Sequence, residues 1–194
     1  MADTVHIALA VERLRQGAVI AFPTDTLYAV AARAADGNAV QRLYRVKQRP
    51  ASQPVVWLVA SAEQAEAYAC VDSRAAELMR RYWPGPLTLV LPAHALVGQP
   101  TMAVRAPDHL VALELLRQLG EPLVSSSANR AGAMPPVDAD AVLEGLGDEL
   151  DLVLDGGACR IGEPSTILDL TQPEPRVLRE GAIPSGDLLH IDSG

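Results

Sequence analysis

Apolar and polar residues alternate along this chain with two different periods. Ile7, Leu9, Val11 and Leu14 predict a helix over Val5–Gln16, with Gly17 as its stop. Ala18–Phe22 is a short continuous apolar run closed by Pro23, the pattern of a buried strand. Val40, Leu43, Tyr44 and Val46 share one face of a helix over Asn38–Lys47, and Pro50 forbids its continuation. Pro54–Ala60 reads as a second buried strand, and Ser61 to Gln64 is a capping box that opens a helix. Another helix covers Arg74–Tyr82 and stops at Trp83-Pro84-Gly85-Pro86. Leu87–Leu91 and Thr101–Arg105 are strands, and Asp108 caps a helix that runs to Leu119, with Gly120 as left-handed terminator. Pro122–Ser126 is a strand, followed by a small-residue loop to Pro136. Asp138 or Asp140 starts a short helix to Leu146, and strands at Leu152–Leu154, Ser165–Leu170 and Arg176–Arg179 complete the pattern. Interleaved strands and helices predict an α/β fold, a twisted sheet with flanking helices. Three consecutive strands at the end make that sheet mixed.

Composition narrows the class. With 194 residues, 49% hydrophobic and 21% charged, the chain suits one domain of ordinary globular type over 1–194. A formal net charge of -8 argues against a protein that coats nucleic acid, yet leaves room for a local basic cleft of Lys47, Arg49, Arg105 and Arg179. Cys70 and Cys159 form no CxxC, and His6, His94, His109 and His190 are scattered, so no metal site or disulfide framework is expected. Acids and arginines break every apolar stretch of the opening residues, which is no signal peptide, and runs such as Val55–Ala60 are too short to span a bilayer. The expected compartment is the cytoplasm.

Five segments carry candidate chemistry. Phe22 to Tyr28 (FPTDTLY) follows a buried strand, where α/β sheets place ligand sites; the plainer reading is a polar turn. Lys47 and Arg49 end a helix, where cations complement the dipole, and a following proline could fix both toward one anion. Ser125-Ser126-Ser127-Ala128-Asn129 sets four small polar side chains in five residues, for phosphate oxygens or merely a loop. Pro164 to Asp169 and Val177 to Gly181 are weak singly. Neither GxGxxG nor GxxxxGK[ST] is present, so any nucleotide is held by other means.

Taken together, PTDTLY, KQRP, WPGPLTLVLP, AVRAPDH, SSSAN, STILDL and LREG resemble the YrdC/TsaC family of threonylcarbamoyl-AMP synthases, in family order from about Gly17 to Ile183. The resemblance implies a concave nucleotide-binding sheet face and the reaction of ATP, L-threonine and bicarbonate to threonylcarbamoyl-adenylate and pyrophosphate. The product would feed the machinery that modifies tRNA. By the same resemblance Lys47 and Arg49 would be catalytic, binding phosphate and the intermediate. Thr24, Thr26 and Arg105 would form the threonine pocket, with either threonine able to pair the substrate hydroxyl. Ser127, Asn129, Ser165 and Arg179 would contact the nucleotide. Mg²⁺ is implied by the triphosphate and not by a ligand motif. The core would span 5–183, with 184–194 a tail too short for the extra domain of longer members.

The chain departs from the family pattern at Ala29, in place of a glycine, and at Gln53, in place of a lysine. The second departure implies a lost positive contact to pyrophosphate, so that Gln53→Lys should raise turnover. Three rivals stand beside this reading: a YciO-like paralogue without synthase activity, a carbamoyl-transfer domain of a larger enzyme, and a non-enzymatic RNA-binding module. The acidic charge and 4% aromatic content limit the last to weak RNA binding.

Overall fold

The structure is a computed structural model that describes residues 4–50 and 53–188; His190 and the tail beyond Leu188 lie outside them. In chain order the elements are α1 (Thr4–Arg15), β1 (Ile20–Pro23), β2 (Tyr28–Arg33), α2 (Gly37–Val46), β3 (Val56–Leu58), α3 (Ala62–Glu66) and α4 (Ser73–Tyr82). Then come β4 (Leu87–Pro92), β5 (Thr101–Arg105), α5 (Leu110–Leu119), β6 (Leu123–Ser127), α6 (Ala139–Leu146), β7 (Leu152–Val153), β8 (Thr166–Asp169), β9 (Arg176–Arg179) and α7 (Ser185–Leu188).

The strands form one sheet in the order β7-β1-β2-β6-β3-β5-β4-β8-β9. It is mixed, as the strand pattern predicts: β1/β7, β3/β5 and β4/β8 are parallel and the other pairs antiparallel.

Side chains alternate between the two faces of the sheet. One face carries Tyr28, Val30, Val124, Trp57, Val104, Leu89 and Leu168, packed with residues of α2, α3, α4, α6 and α7. On the other face Ile20, Phe22, Ala29, Ala31, Leu58 and Leu123 pack under α1 and α5. That second cluster takes nothing from β5, β4, β8 or β9. Half of one sheet face is therefore left without a helix over it, and the candidate site lies there.

Local signals set most boundaries. Asp36, Ser61, Asp72 and Asp138 cap α2, α3, α4 and α6 through side-chain oxygens. Gln64 completes its half of the box at the Ala60 N–H, one residue earlier than the motif predicts. The cap of α5 is His109, whose Nδ1 accepts from Val111 N; it is not Asp108, whose carboxylate pairs instead with Arg160 at 2.8 Å. Gly120 closes α5 in the left-handed region, with φ 77°.

The largest departure from the sequence reading is β2, a central strand where no element is expected. Its segment YAVAAR is rich in alanine, a weak strand former. Its place comes from long-range pairing on both sides, Phe22 with Ala29 and Ala29 with Ser127.

Candidate functional site

A cavity of about 690 Å³ opens on the uncovered sheet face. Its floor follows the period of two along each strand: Ser125 and Ser127 on β6, Val56 and Leu58 on β3, Thr101, Ala103 and Arg105 on β5, Val90 on β4, and Ile167 and Asp169 on β8. Seven of the nine expected site residues line it: Thr24, Thr26, Arg49, Arg105, Ser127, Ser165 and Arg179. Lys47 and Asn129 do not.

Arg105, at the end of β5, is held from three directions. Its Nε donates to Gly85 O at 2.9 Å, its Nη1 to Thr26 Oγ1 at 2.8 Å, and its Nη2 pairs with Asp25 Oδ1. The WPGP segment thus serves to present the Gly85 carbonyl. Burial pushes the guanidinium pKa down, and Asp25 pulls it back. Asp25 Oδ1 also accepts from Asp108 N at 3.1 Å, whereas Oδ2 has no partner among the described residues.

The arginine orients a chain of hydroxyls. Thr26 Oγ1 accepts from Arg105 and lies 3.0 Å from Thr24 Oγ1, which gives its own proton to Leu27 O at 2.7 Å. When the two hydroxyls bond, Thr26 is then the donor, competing with backbone N–H groups for the two lone pairs of Thr24 Oγ1. Thr24 Oγ1 also accepts from Thr26 N and Leu27 N. It has nothing left to offer a ligand, so of the two threonines only Thr26 retains a free acceptor position.

The end of α2 separates its two cations. Gln48 adopts φ 49°, and Arg49 N donates to Tyr44 O while Gln48 N donates to Arg45 O, a Schellman closure with a non-glycine residue in the left-handed position. Lys47 turns to the loop after β6 and Arg49 to the cavity, so only Arg49 lines it, contrary to the expectation that both face one anion. Lys47 is only 4% exposed. Its ammonium lies against the Ser127 and Asn129 carbonyls, with Asn129 Oδ1 at 3.3 Å, and so pins the loop after β6. The Asn129 amide nitrogen donates inside the same loop, to Arg130 O and Ala133 O. Ser127 Oγ, by contrast, makes no hydrogen bond among the described residues.

Burial pushes the Lys47 pKa down to about 8 from 10.5, and Arg49 adds to the shift. Across that window the unfolded chain binds more protons than the folded one. Lys47 therefore contributes a gain in stability from pH 8 to 10.5 that is lost again as pH falls back. We expect the pH slope of denaturant-measured stability in this window to be more positive in the wild type than in Lys47→Met, on top of the opposite slope that the raised Cys159 and Tyr28 pKa values give both proteins. Equal pH slopes for the two would show that Lys47 does not titrate in this window.

Arg49 turns to the cavity, its Nε donating to Gln53 Oε1 at 2.8 Å and its Nη1 to Ser126 Oγ at 3.0 Å. On the far side, Arg179 donates from Nε and Nη2 to Ser165 O and from Nη2 to Ser165 Oγ. Burial lowers the Arg179 pKa, and Arg49 lowers it further, so the two arginines are near enough to repel. An anion between them relieves that repulsion. Gly181 lets the chain after Arg179 pass close by: a Cβ there would overlap the Pro164 carbonyl oxygen and sit 2.8 Å from the Ser165 carbonyl carbon.

Among the described residues the lining thus holds three arginines and one carboxylate, Asp169, whose Oδ1 accepts from Thr171 N and Oγ1. No His, Cys or Lys among the described residues lines the cavity. Cys159, behind the Thr24 turn, has its thiol pKa pushed up to about 11 by burial. Among the described residues no cluster of three or more His, Cys, Asp or Glu could hold a metal. The sequence reading assigned no role to Asp25, Ser126 or Tyr44. Asp25 and Ser126 stand inside the PTDT and SSSAN segments, so the signal was present, but their partners are 80 and 77 residues away in sequence.

The Sua5/YciO/YrdC family model, described as telomere recombination, matches residues 12–181. The threonylcarbamoyl-AMP synthase of Pyrococcus abyssi is 42% identical over 192 residues, 95% of this chain and 56% of its own length. A putative threonylcarbamoyl-AMP synthase of Mycobacterium tuberculosis is 40% identical, with 96% and 90% covered. Pyrococcus abyssi Sua5 in complex with L-threonine superposes with a TM-score of 0.93 at 39% identity, covering 97% of this chain and 57% of that one. Escherichia coli YciO superposes with a TM-score of 0.85 at 31% identity, with 94% and 92% covered. The chain spans little more than half the length of the Pyrococcus relative. With this match over most of its length and this agreement in fold, the chain belongs to the Sua5/YciO/YrdC family.

Proposed function

We propose that the chain makes L-threonylcarbamoyl-adenylate from L-threonine, bicarbonate and ATP, acting as a single YrdC-like domain with a core over 5–183. The observation that carries this reading is the cavity itself: among the described residues it is lined by three arginines, several hydroxyls and one carboxylate, with no nucleophile–base pair. Such a lining suits a reaction that needs positioning and charge neutralisation and no covalent protein intermediate. The threonine amine takes up CO₂ from bicarbonate as a carbamate. A carbamate oxygen then attacks the α-phosphorus, a new P–O bond forms, and the bond to pyrophosphate breaks.

Arg49 and Arg179, on opposite sides, would neutralise phosphate oxygens, and Ser127 and Ser165 would donate or accept at the nucleotide. Arg105 and Thr26 would meet the amino acid, Thr26 accepting its hydroxyl proton, while Thr24 holds the turn. Lys47 and Asn129 would act by fixing the loop that carries Ser127. Mg²⁺ would arrive with the triphosphate and offset its charge; a single carboxylate such as Asp169 fits an ion whose other ligands are phosphates and water. The product would pass to the machinery that transfers threonylcarbamoyl to tRNA in the cytoplasm. No helix among the described residues is long and apolar enough to cross a membrane.

The test is pyrophosphate release with each substrate omitted in turn. We expect release only with ATP, threonine and bicarbonate together. Undiminished release without threonine would identify a plain ATP hydrolase, and no release at all would favour a relative of YciO type without synthase activity.

A further inference from the structure

We propose that Gln53 is a positioning residue for Arg49, and that its neutral amide acceptor is better suited to this cavity than a cation. The proposal deepens the functional reading above and rests on it only for the identity of the anion. A guanidinium carries five N–H groups in one plane. Gln53 Oε1 takes the Nε–H at 2.8 Å and Ser126 Oγ takes one Nη1–H at 3.0 Å. These two bonds fix both the plane and its rotation. The N–H groups that remain, one on Nη1 and two on Nη2, suffice to grip a phosphate through two oxygens.

Gln53 is itself held by its backbone. Its N–H donates to Pro50 O at 3.0 Å, and its carbonyl accepts the Tyr44 hydroxyl at 3.0 Å. Tyr44, Gln53, Arg49 and Ser126 all line the cavity, so the clamp forms part of its wall.

Charge explains the amide. Arg49 already lowers the pKa of Arg179 across the cavity. A lysine at position 53 accepts no hydrogen bond, so it would release Nε. It would also add a third cation beside two that repel. The expectation that Gln53→Lys raises turnover is therefore reversed.

The test is a double-mutant cycle on ATP affinity measured by calorimetry, with Gln53→Met, Gln53→Lys, Arg49→Ala and the Gln53→Met/Arg49→Ala pair. Loss of an exposed hydrogen bond to a charged group should weaken ATP binding roughly fivefold in Gln53→Met. Gln53→Lys should weaken it at least as much, and Gln53→Met should change nothing further once Arg49 is alanine. Equal weakening in both backgrounds would mean that Gln53 touches the ligand itself; no weakening, or tighter binding by Gln53→Lys, would equally overturn the proposal. A second readout needs no ligand: the NMR signal of the Arg49 Nε–H should be sharp and slow to exchange in the wild type and averaged in Gln53→Met. An unchanged signal overturns the clamp. Absence of ATP binding by the wild type would instead sink the functional reading.

Discussion

Replacing Arg49 by alanine is expected to lower the rate of pyrophosphate release about 100-fold or more, as loss of a preorganised donor to a reacting phosphoryl group does. The fold should survive. The Schellman closure of α2 uses backbone groups of Tyr44, Arg45, Gln48 and Arg49, which alanine keeps. A cation at a helix end contributes only about 0.3–1 kcal/mol. Arg49→Lys should not restore the rate, because an ammonium cannot bond Gln53, Ser126 and a phosphate in one plane. The rate and a thermal melt of each variant decide the matter. Near-wild-type turnover in Arg49→Ala would reduce the residue to a complement of the helix dipole.

Asp25→Ala should act on stability first, by about 3–5 kcal/mol, because it strands a buried guanidinium. Asp25 is fully buried and Arg105 only 5% exposed, and the Asp108 N–H loses its acceptor as well. For a chain of this size each kcal/mol lowers Tm by roughly 2–4 °C, so a fall on the order of 10 °C is expected. The double variant Asp25→Ala/Arg105→Met should recover part of that loss, since the uncompensated charge goes with the arginine. A fall of only 1–2 °C in Asp25→Ala would show that the pair barely supports the fold.

Much of this architecture was legible in the chain. The strands at Thr101–Arg105 and Arg176–Arg179 match to the residue, because turn-forming residues bound each apolar run. The mixed character of the sheet followed from three strands in succession. β2 was not legible: an alanine-rich segment becomes a strand only when β1 and β6 flank it, and both pairings are tertiary. The different partners of Lys47 and Arg49 were hidden because a glutamine in the left-handed region leaves no mark such as glycine would. The capping role of His109 was hidden by a neighbouring aspartate that looked better suited and that the fold uses elsewhere.

The cavity draws on segments from Thr24 to Arg179, and its wall is complete only when β8 and β9 have docked beyond β4. No early portion of a growing polypeptide possesses it. A chain that stops before Arg179 lacks part of the lining and so cannot present the whole wall to a ligand. A ligand that binds only the folded chain adds about 2.7 kcal/mol to global unfolding at 100 times its Kd. Saturation with substrate would thereby protect the entire sheet from proteolysis, both at the late strands that close the wall and at the early ones that begin it.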